Sequence, residues 1–329
     1  MSNINWPDDS AFAPFDVFEE TYKTISSHDI IAAVLIPRGL KQAVHPVIVN
    51  IHGGFFATGH SLFAPFFSPW LLKLAIDHGA IIISADYRLL PTPNGIADQL
   101  EDLEDFWQWS RAELPSVLER HAPGQLLDYS KVLLAGGSAG GYYTTQLALS
   151  HPNEVSVLAL AYPAVDLKDD VFVHGPPVGA PTVLCFPAEQ IPSKEDALVW
   201  VEKRRKTVAS KGGFEITPFP VALTQHGILT SQMLEYDGVK LATEHLPLER
   251  IRAGATLPKA VWIIHGDDDS VVYLRQSEAF VDLIKKEIPT TAVRFDVAAG
   301  HDHAFDFEPS FWEPFAAPAM DFVTKGWLG

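Results

Sequence analysis

The chain has 329 residues, of which 47% are hydrophobic and 20% charged, and its formal net charge is −17. This is the composition of a globular protein with enough apolar mass for one large domain or two ordinary ones. Such an acidic balance repels phosphate backbones and anionic bilayers, which argues against a nucleic-acid or membrane-surface partner.

The one dense basic run, Lys203-Arg204-Arg205-Lys206, continues a helix opened by Ser193-Lys194-Glu195-Asp196, and it reads as a solvated helix face. A single cysteine, Cys185, permits no internal disulfide and fits a reducing compartment. The first ten residues have neither a basic start nor an apolar h-region, and no apolar stretch approaches the ~18 residues of a membrane span. A cytoplasmic protein with no membrane span is expected, and a homodimer is left open.

Residues 1 to about 27 mix Phe12, Phe15 and Phe18 with acids and prolines, and are expected to fold over the site rather than join a sheet. Short apolar, β-branched runs then occupy 30–37, 46–51, 80–84, 131–135, 155–160, 260–264 and 292–297. Helix-length segments such as 70–78 and 98–114 separate several of them, a pattern that implies an α/β protein with a mostly parallel central sheet flanked by helices. The alternation breaks once, over about 166–256, where prolines punctuate helical pieces and no strong strand appears. That segment is too apolar for disorder and is expected to be an inserted, mainly helical cap. The expected division is therefore 1–165 and 257–329 as core and 166–256 as cap, with the N-terminal part of 1–27 joining the cap.

The chemistry centres on Ala135-Gly136-Gly137-Ser138-Ala139-Gly140-Gly141, which follows an apolar strand and precedes the helix-compatible stretch 142–149. Serine attacks a carbonyl only when it is exposed, deprotonated and faced by donors for the oxyanion it creates. A G-x-S-x-G turn exposes it: Gly136 and Gly140 lack side chains that would collide, so Ser138 stands above the sheet, and the N–H of Ala139 at the helix start points toward a developing oxyanion. After the strand ending at Ile51 comes His52-Gly53-Gly54-Phe55-Phe56, whose glycines allow amides to turn inward. Gly54 is expected as one oxyanion donor, Gly53 or Phe55 as a second and Ala139 as a third, with His52 a scaffold residue.

A histidine base oriented by a carboxylate is also required. After the strand at 260–264 come His265-Gly266-Asp267-Asp268-Asp269, and after the last strand Gly300-His301-Asp302-His303-Ala304-Phe305. Spacing prefers Asp269 weakly over Asp268, and His303 over His301. His301-Asp302-His303 is a poor metal site, because adjacent residues do not converge and no other His/Cys cluster supports them; neither metal nor cofactor is expected. Among Phe55, Phe56, Phe63, Phe66, Phe67 and Trp70, some are expected to line an apolar pocket, with Phe55, Phe56 and Tyr142 as substrate contacts.

With these marks in place, the chain resembles the hormone-sensitive-lipase-like branch of the α/β-hydrolases. The resemblance rests on His52-Gly53-Gly54, on Asp86-Tyr87-Arg88-Leu89-Leu90-Pro91, on Gly136-Gly137-Ser138-Ala139-Gly140-Gly141, on His265-Gly266 with its acids, and on His303-Ala304-Phe305. It implies an α/β-hydrolase fold, a Ser138-Asp269-His303 triad and an oxyanion hole from the glycine loop plus the residue after the serine. A cap formed by an insertion and the N-terminus is implied as well. Two departures stand out: Phe55 occupies the place of the family's usual third glycine, and Gly137 that of its usual acid before the nucleophile. The expected activity is hydrolysis of carboxylic esters of small hydrophobic substrates. Rival readings are an amidase or formamidase, a lactone hydrolase, cyclase or dehydratase using the same triad, and a non-catalytic ligand-binding receptor.

Overall fold

The computed structural model describes residues 6–235, 240–308 and 311–329. Its centre is one sheet of β1 (Phe15–Ile25), β2 (His28–Pro37), β3 (Val44–Ile51), β4 (Ile81–Ala85), β5 (Leu126–Gly137), β6 (Val157–Ala161), β7 (Ala260–Gly266) and β8 (Ala292–Ala298), in the order β1-β2-β4-β3-β5-β6-β7-β8. From β4 onward in that order every pairing is parallel, whereas β1–β2 and β2–β4 are antiparallel. Every residue of β4, β6 and β7 is buried, as the continuous apolar runs require of strands covered on both faces.

The helices are α1 (Pro69–His78), α2 (Ile96–Ala112), α3 (Leu114–His121), α4 (Ala139–Ser150), α5 (Asp170–His174), α6 (Lys194–Arg204), α7 (Pro218–Gln225), α8 (Pro247–Arg252), α9 (Arg275–Glu287) and α10 (Ala317–Leu328). Successive residues of β5 face opposite cores, as a pleated strand dictates. Val132 and Leu134 join a cluster with Phe106 of α2, Leu147 of α4 and Phe280 of α9, while Leu133 and Ala135 join Leu74 of α1 and Val323 of α10. None of the helices described is long and apolar enough to cross a membrane.

The N-terminus departs from expectation. Residues 15–25 do not fold over the site; they pair with β2 from Phe15↔Pro37 to Ile25↔His28. Ser26 and Ser27 make the turn at φ 50° and 66°, the left-handed pair that a tight hairpin uses. Among the described residues of the N-terminal segment, only Trp6 reaches the cavity described below.

Between β6 and β7 the chain runs through α5, α6, α7 and α8 and adds no strand to the sheet among the described residues. Ser193 caps α6 as its sequence suggests, its hydroxyl accepting the Asp196 amide at 3.1 Å. The segment is pinned to the core beside the glycine loop: Gly59 and Gly212 exchange amide bonds of 2.7 and 3.1 Å, and the Leu89 amide donates to Ala209 O at 2.7 Å.

Candidate active site

β5 leads into α4 through Ser138, which is held at φ 56° and ψ −126°. A non-glycine residue persists in such a conformation only when its surroundings impose it. Here they do: a Cβ on Gly136 would lie 2.5 Å from Gly140 O, and one on Gly140 would lie 2.2 Å from Ile51 O. The Ser138 amide donates to Ala161 O at 3.0 Å, and its carbonyl accepts the Ala164 amide at 3.0 Å.

The ends of β7 and β8 bring Asp269 and His303 together. His303 Nδ1 lies 2.8 Å from Asp269 Oδ2, and the other oxygen, Oδ1, accepts the amides of Val271 and Val272 at 2.9 Å each. His265 Nε2 is 3.2 Å from Oδ2. Burial alone would raise the Asp269 pKa, but the charge and hydrogen bonds of His303 and His265 hold it well below the usual carboxylate range. For His303, burial opposes the charged form, yet Asp269 outweighs it with help from Asp302 and Asp306, so the net shift is upward. An ionised carboxylate only accepts, so Nδ1 carries the proton and Nε2 is the basic nitrogen. The competing residues are placed elsewhere: Asp268 is exposed, Asp267 accepts the Gly300 amide at 2.6 Å, and His301 Nδ1 sits 2.9 Å from Ala299 O with its ring against Phe305 and Phe315.

The glycine loop lies across the elbow. A Cβ on Gly53 would come 2.9 Å from Gly137 O and 3.4 Å from Ser138 Cβ, so only glycine allows this approach. Gly54, at φ 106°, turns its carbonyl to accept the amides of Ala57 and Thr58 at 3.0 and 2.9 Å. Phe55, in place of a third glycine, itself adopts φ 52°. Gly53, Gly54 and Phe55 share a cavity wall with Ser138, and Ala139, next in chain, opens α4, whose first amides have no partner within the helix.

His52 is buried and stacked on Tyr87 with ring centroids 4.3 Å apart, and burial pushes its pKa down to about 3. It is therefore a neutral scaffold residue. Tyr87 Oη donates to His52 O at 2.8 Å, and Asp86 Oδ1 accepts the Ser61 amide at 2.6 Å. Arg88 bonds Asp102 through Nε and Nη2 at 2.8 Å each, tying the same stretch to α2. Asp86-Tyr87-Arg88 thus braces the loop that bears the glycines.

Ser138 and His303 line one cavity, with about 670 Å³ of empty space partly open to solvent. Of the six aromatic residues expected, Phe55, Phe66 and Trp70 line it and Phe56, Phe63 and Phe67 do not. Two expected substrate contacts are misplaced. Phe56, at φ 64°, turns its ring onto Tyr142 and Tyr143, each 5.8 Å away by ring centroid. Tyr142 is buried among those rings, and its hydroxyl donates to His245 O at 2.9 Å. The 166–256 segment contributes Leu184 and Thr217 to the wall, and the N-terminus contributes Trp6. No group of three or more His, Cys, Asp or Glu among the described residues is arranged to hold a metal ion. Sequence reasoning missed Tyr162, whose ring lies against that of His303, and Asp306, which accepts the Tyr162 hydroxyl; neither carries a motif to mark it.

The family described as α/β hydrolase fold matches residues 48–210. The chain is 31% identical over 332 residues to "Probable carboxylesterase M8" of Phoma sp., covering 98% of this chain and 100% of that protein. It is 32% identical over 212 residues to "Probable carboxylesterase clz11" of Cochliobolus lunatus, covering 62% of this chain and 92% of that one. Among solved structures, the hyperthermophilic esterase from the archaeon Pyrobaculum calidifontis shares the fold, with a TM-score of 0.61 at 20% identity over 96% of this chain and 87% of the other. The chain belongs to the α/β-hydrolase family, in the hormone-sensitive-lipase-like branch that its motifs resemble.

Proposed function

We propose that the protein hydrolyses carboxylic esters of small hydrophobic substrates through a Ser138-His303-Asp269 acyl-enzyme mechanism. The observation that carries this reading is the Asp269–His303 pair, 2.8 Å apart, in the same cavity as a serine held at φ 56°. His303 Nε2 takes the proton of Ser138 as Oγ attacks the ester carbonyl, and Asp269 stabilises the imidazolium. The amides of Gly54 and Ala139, with Gly53 or Phe55, receive the oxyanion. His303 then protonates the departing alkoxide, and a water activated by the same histidine releases the acid.

The preference for small hydrophobic esters rests on the mostly apolar and aromatic cavity wall, including Phe55, Phe66, Trp70 and Phe307. The names of the two relatives above point to the same reaction class. Residues 166–256, with Trp6 from the N-terminus, act as the cap over this cavity. Cytoplasmic residence rests on the lone cysteine and the acidic, span-free sequence.

Turnover of short p-nitrophenyl esters by the wild type and by Ser138→Ala tests the proposal. The loss expected is on the order of 10⁶ in kcat, as found when the nucleophile of such a triad is removed. Full turnover by Ser138→Ala would end the reading.

A further inference from the structure

The elbow lacks the acid that the resembling family carries before its nucleophile, and the space is not empty. A Cβ on Gly137 would lie 3.2 Å from Cε2 of Tyr162, with Ala161 O at 3.4 Å. Tyr162 is the first residue after β6; it is buried and held at φ 37°, with its amide donating to Ile264 O at 2.7 Å. This backbone turn carries its ring beneath the elbow, and the ring centroid comes 4.3 Å from that of His303 at an interplanar angle of 54°.

The far end of the ring is anchored. Tyr162 Oη donates to Asp306 Oδ1, while Asp306 Oδ2 accepts Ser68 Oγ at 2.6 Å and Trp70 Nε1 at 3.2 Å. Asp306 is 1% exposed, and all three of these donors are neutral. A buried carboxyl without a cationic partner is costly, and the group nearby that can supply positive charge is His303, on the same loop. Three donors from two segments, the start of α1 and the turn after β6, therefore converge on a carboxyl that reaches the imidazole through one aromatic ring.

We propose that Tyr162 and Asp306 are a positioning pair that holds the His303 imidazole against the elbow, replacing from below the acid that position 137 lacks. The proposal rests on the reading of His303 as the base. Tyr162 fixes the ring by contact, and Asp306 fixes Tyr162 by hydrogen bond. Burial pushes the Asp306 pKa up, and in its ionised form the carboxyl adds to the negative charge that Asp269 and Asp302 place around the imidazolium. The groups facing His303 are Asp269 from the loop after β7, Asp302 and Asp306 on its own loop, and the Tyr162 phenol from the turn after β6. Burial pushes the phenol pKa well up, so it stays a donor throughout the working range.

Tyr162→Phe, Asp306→Asn and the double variant test this, with three readouts: the rate of Ser138 phosphonylation by a fluorophosphonate, kcat and KM on p-nitrophenyl butyrate, and the His303 titration by NMR. Each single variant is expected to slow phosphonylation and kcat by about ten- to a hundredfold, the cost of an imidazole displaced by about 1 Å, with KM near wild type. The double variant is expected to lose no more than the worse single one, as residues acting as a unit do. The His303 pKa is expected to fall in Asp306→Asn. Wild-type rates in both single variants, or losses that multiply in the double variant, overturn the pair. If Asp306→Asn fails to fold, the near-isosteric Tyr162→Phe decides alone. A wild type that takes no label would reject the hydrolase reading instead; the NMR titration then still judges the pair, and an unmoved His303 in Asp306→Asn rejects it.

Discussion

Asp269 divides its two oxygens between two tasks: Oδ2 lies 2.8 Å from His303 Nδ1, while Oδ1 takes the amides of Val271 and Val272 at 2.9 Å. The carboxylate is thus fixed by backbone before the imidazole arrives, and the imidazole needs no induced movement to be oriented. Asp269→Asn keeps the size of the group but offers an amide where the Nδ1 proton needs an acceptor, which favours the wrong tautomer. A loss of about 10⁴ in kcat is expected, by analogy with the same change in a serine protease. Steady-state kinetics on a p-nitrophenyl ester, with thermal melting to confirm folding, checks it.

The pH dependence follows from the same pair. A base must be neutral, and the His303 pKa is raised above the ordinary histidine value of about 6.5 because Asp269 and its neighbours favour the imidazolium more than burial disfavours it. The acid limb of kcat/KM therefore lies above pH 6.5, with activity rising as His303 loses its proton. In the residual activity of Asp269→Asn that limb moves to lower pH. An unmoved limb would assign it to another group.

Gly54 has its φ of 106° and would place a Cβ 2.2 Å from Thr58 O. Gly54→Ala must therefore open the turn that presents the loop amides to the cavity. A loss of about 10² to 10³ in kcat is expected, comparable to losing one oxyanion donor, with KM changing less. Wild-type kcat in a folded Gly54→Ala protein would remove this loop from the mechanism.

Asp86 is buried, and desolvation outweighs its bonds to Ser61, lifting its pKa to about 6. An acid whose folded pKa exceeds its unfolded value of about 3.9 binds more protons when folded, so its contribution to stability falls as pH rises from about 4 to about 6. Asp86→Asn, which keeps an acceptor for the Ser61 amide, is expected to flatten that decline. Melting temperatures of the two proteins across this range measure it, and parallel curves would contradict the assignment.

Arg88 is buried and bonded to Asp102, itself fully buried, as well as to Asp98 and Glu101. Arg88→Ala leaves Asp102 with Lys23 at 2.9 Å as its remaining cation. A destabilisation of about 3 kcal/mol is expected, toward the low end for a broken buried pair because Lys23 remains. Denaturant unfolding gives the value.

The central strands were legible as apolar runs, and Ser138, Asp269 and His303 stood out because each sits in a short motif within five residues of a strand's C-terminal end. β1 was not legible. It is an edge strand whose polar face alternates with a partly buried one, and its turn is Ser26-Ser27 rather than a glycine-containing pair. Phe56 and Tyr142 misled because sequence proximity to Phe55 and Ser138 does not fix side-chain direction. The turn at Phe55 and Phe56 aims successive rings to different sides, and α4 points Tyr142 into the core. Tyr162 and Asp306 meet only because β6 ends beside the loop after β8, a juxtaposition that tertiary structure alone creates.

Fluorophosphonate labelling of the wild type and of His303→Ala, with the modified residue located by peptide mass spectrometry, tests the pairing of Ser138 with His303 without reference to any substrate. A single adduct on Ser138 is expected in the wild type, with labelling slowed by several orders of magnitude in His303→Ala. An adduct on another residue, or equal labelling of Ser138 without His303, would contradict it.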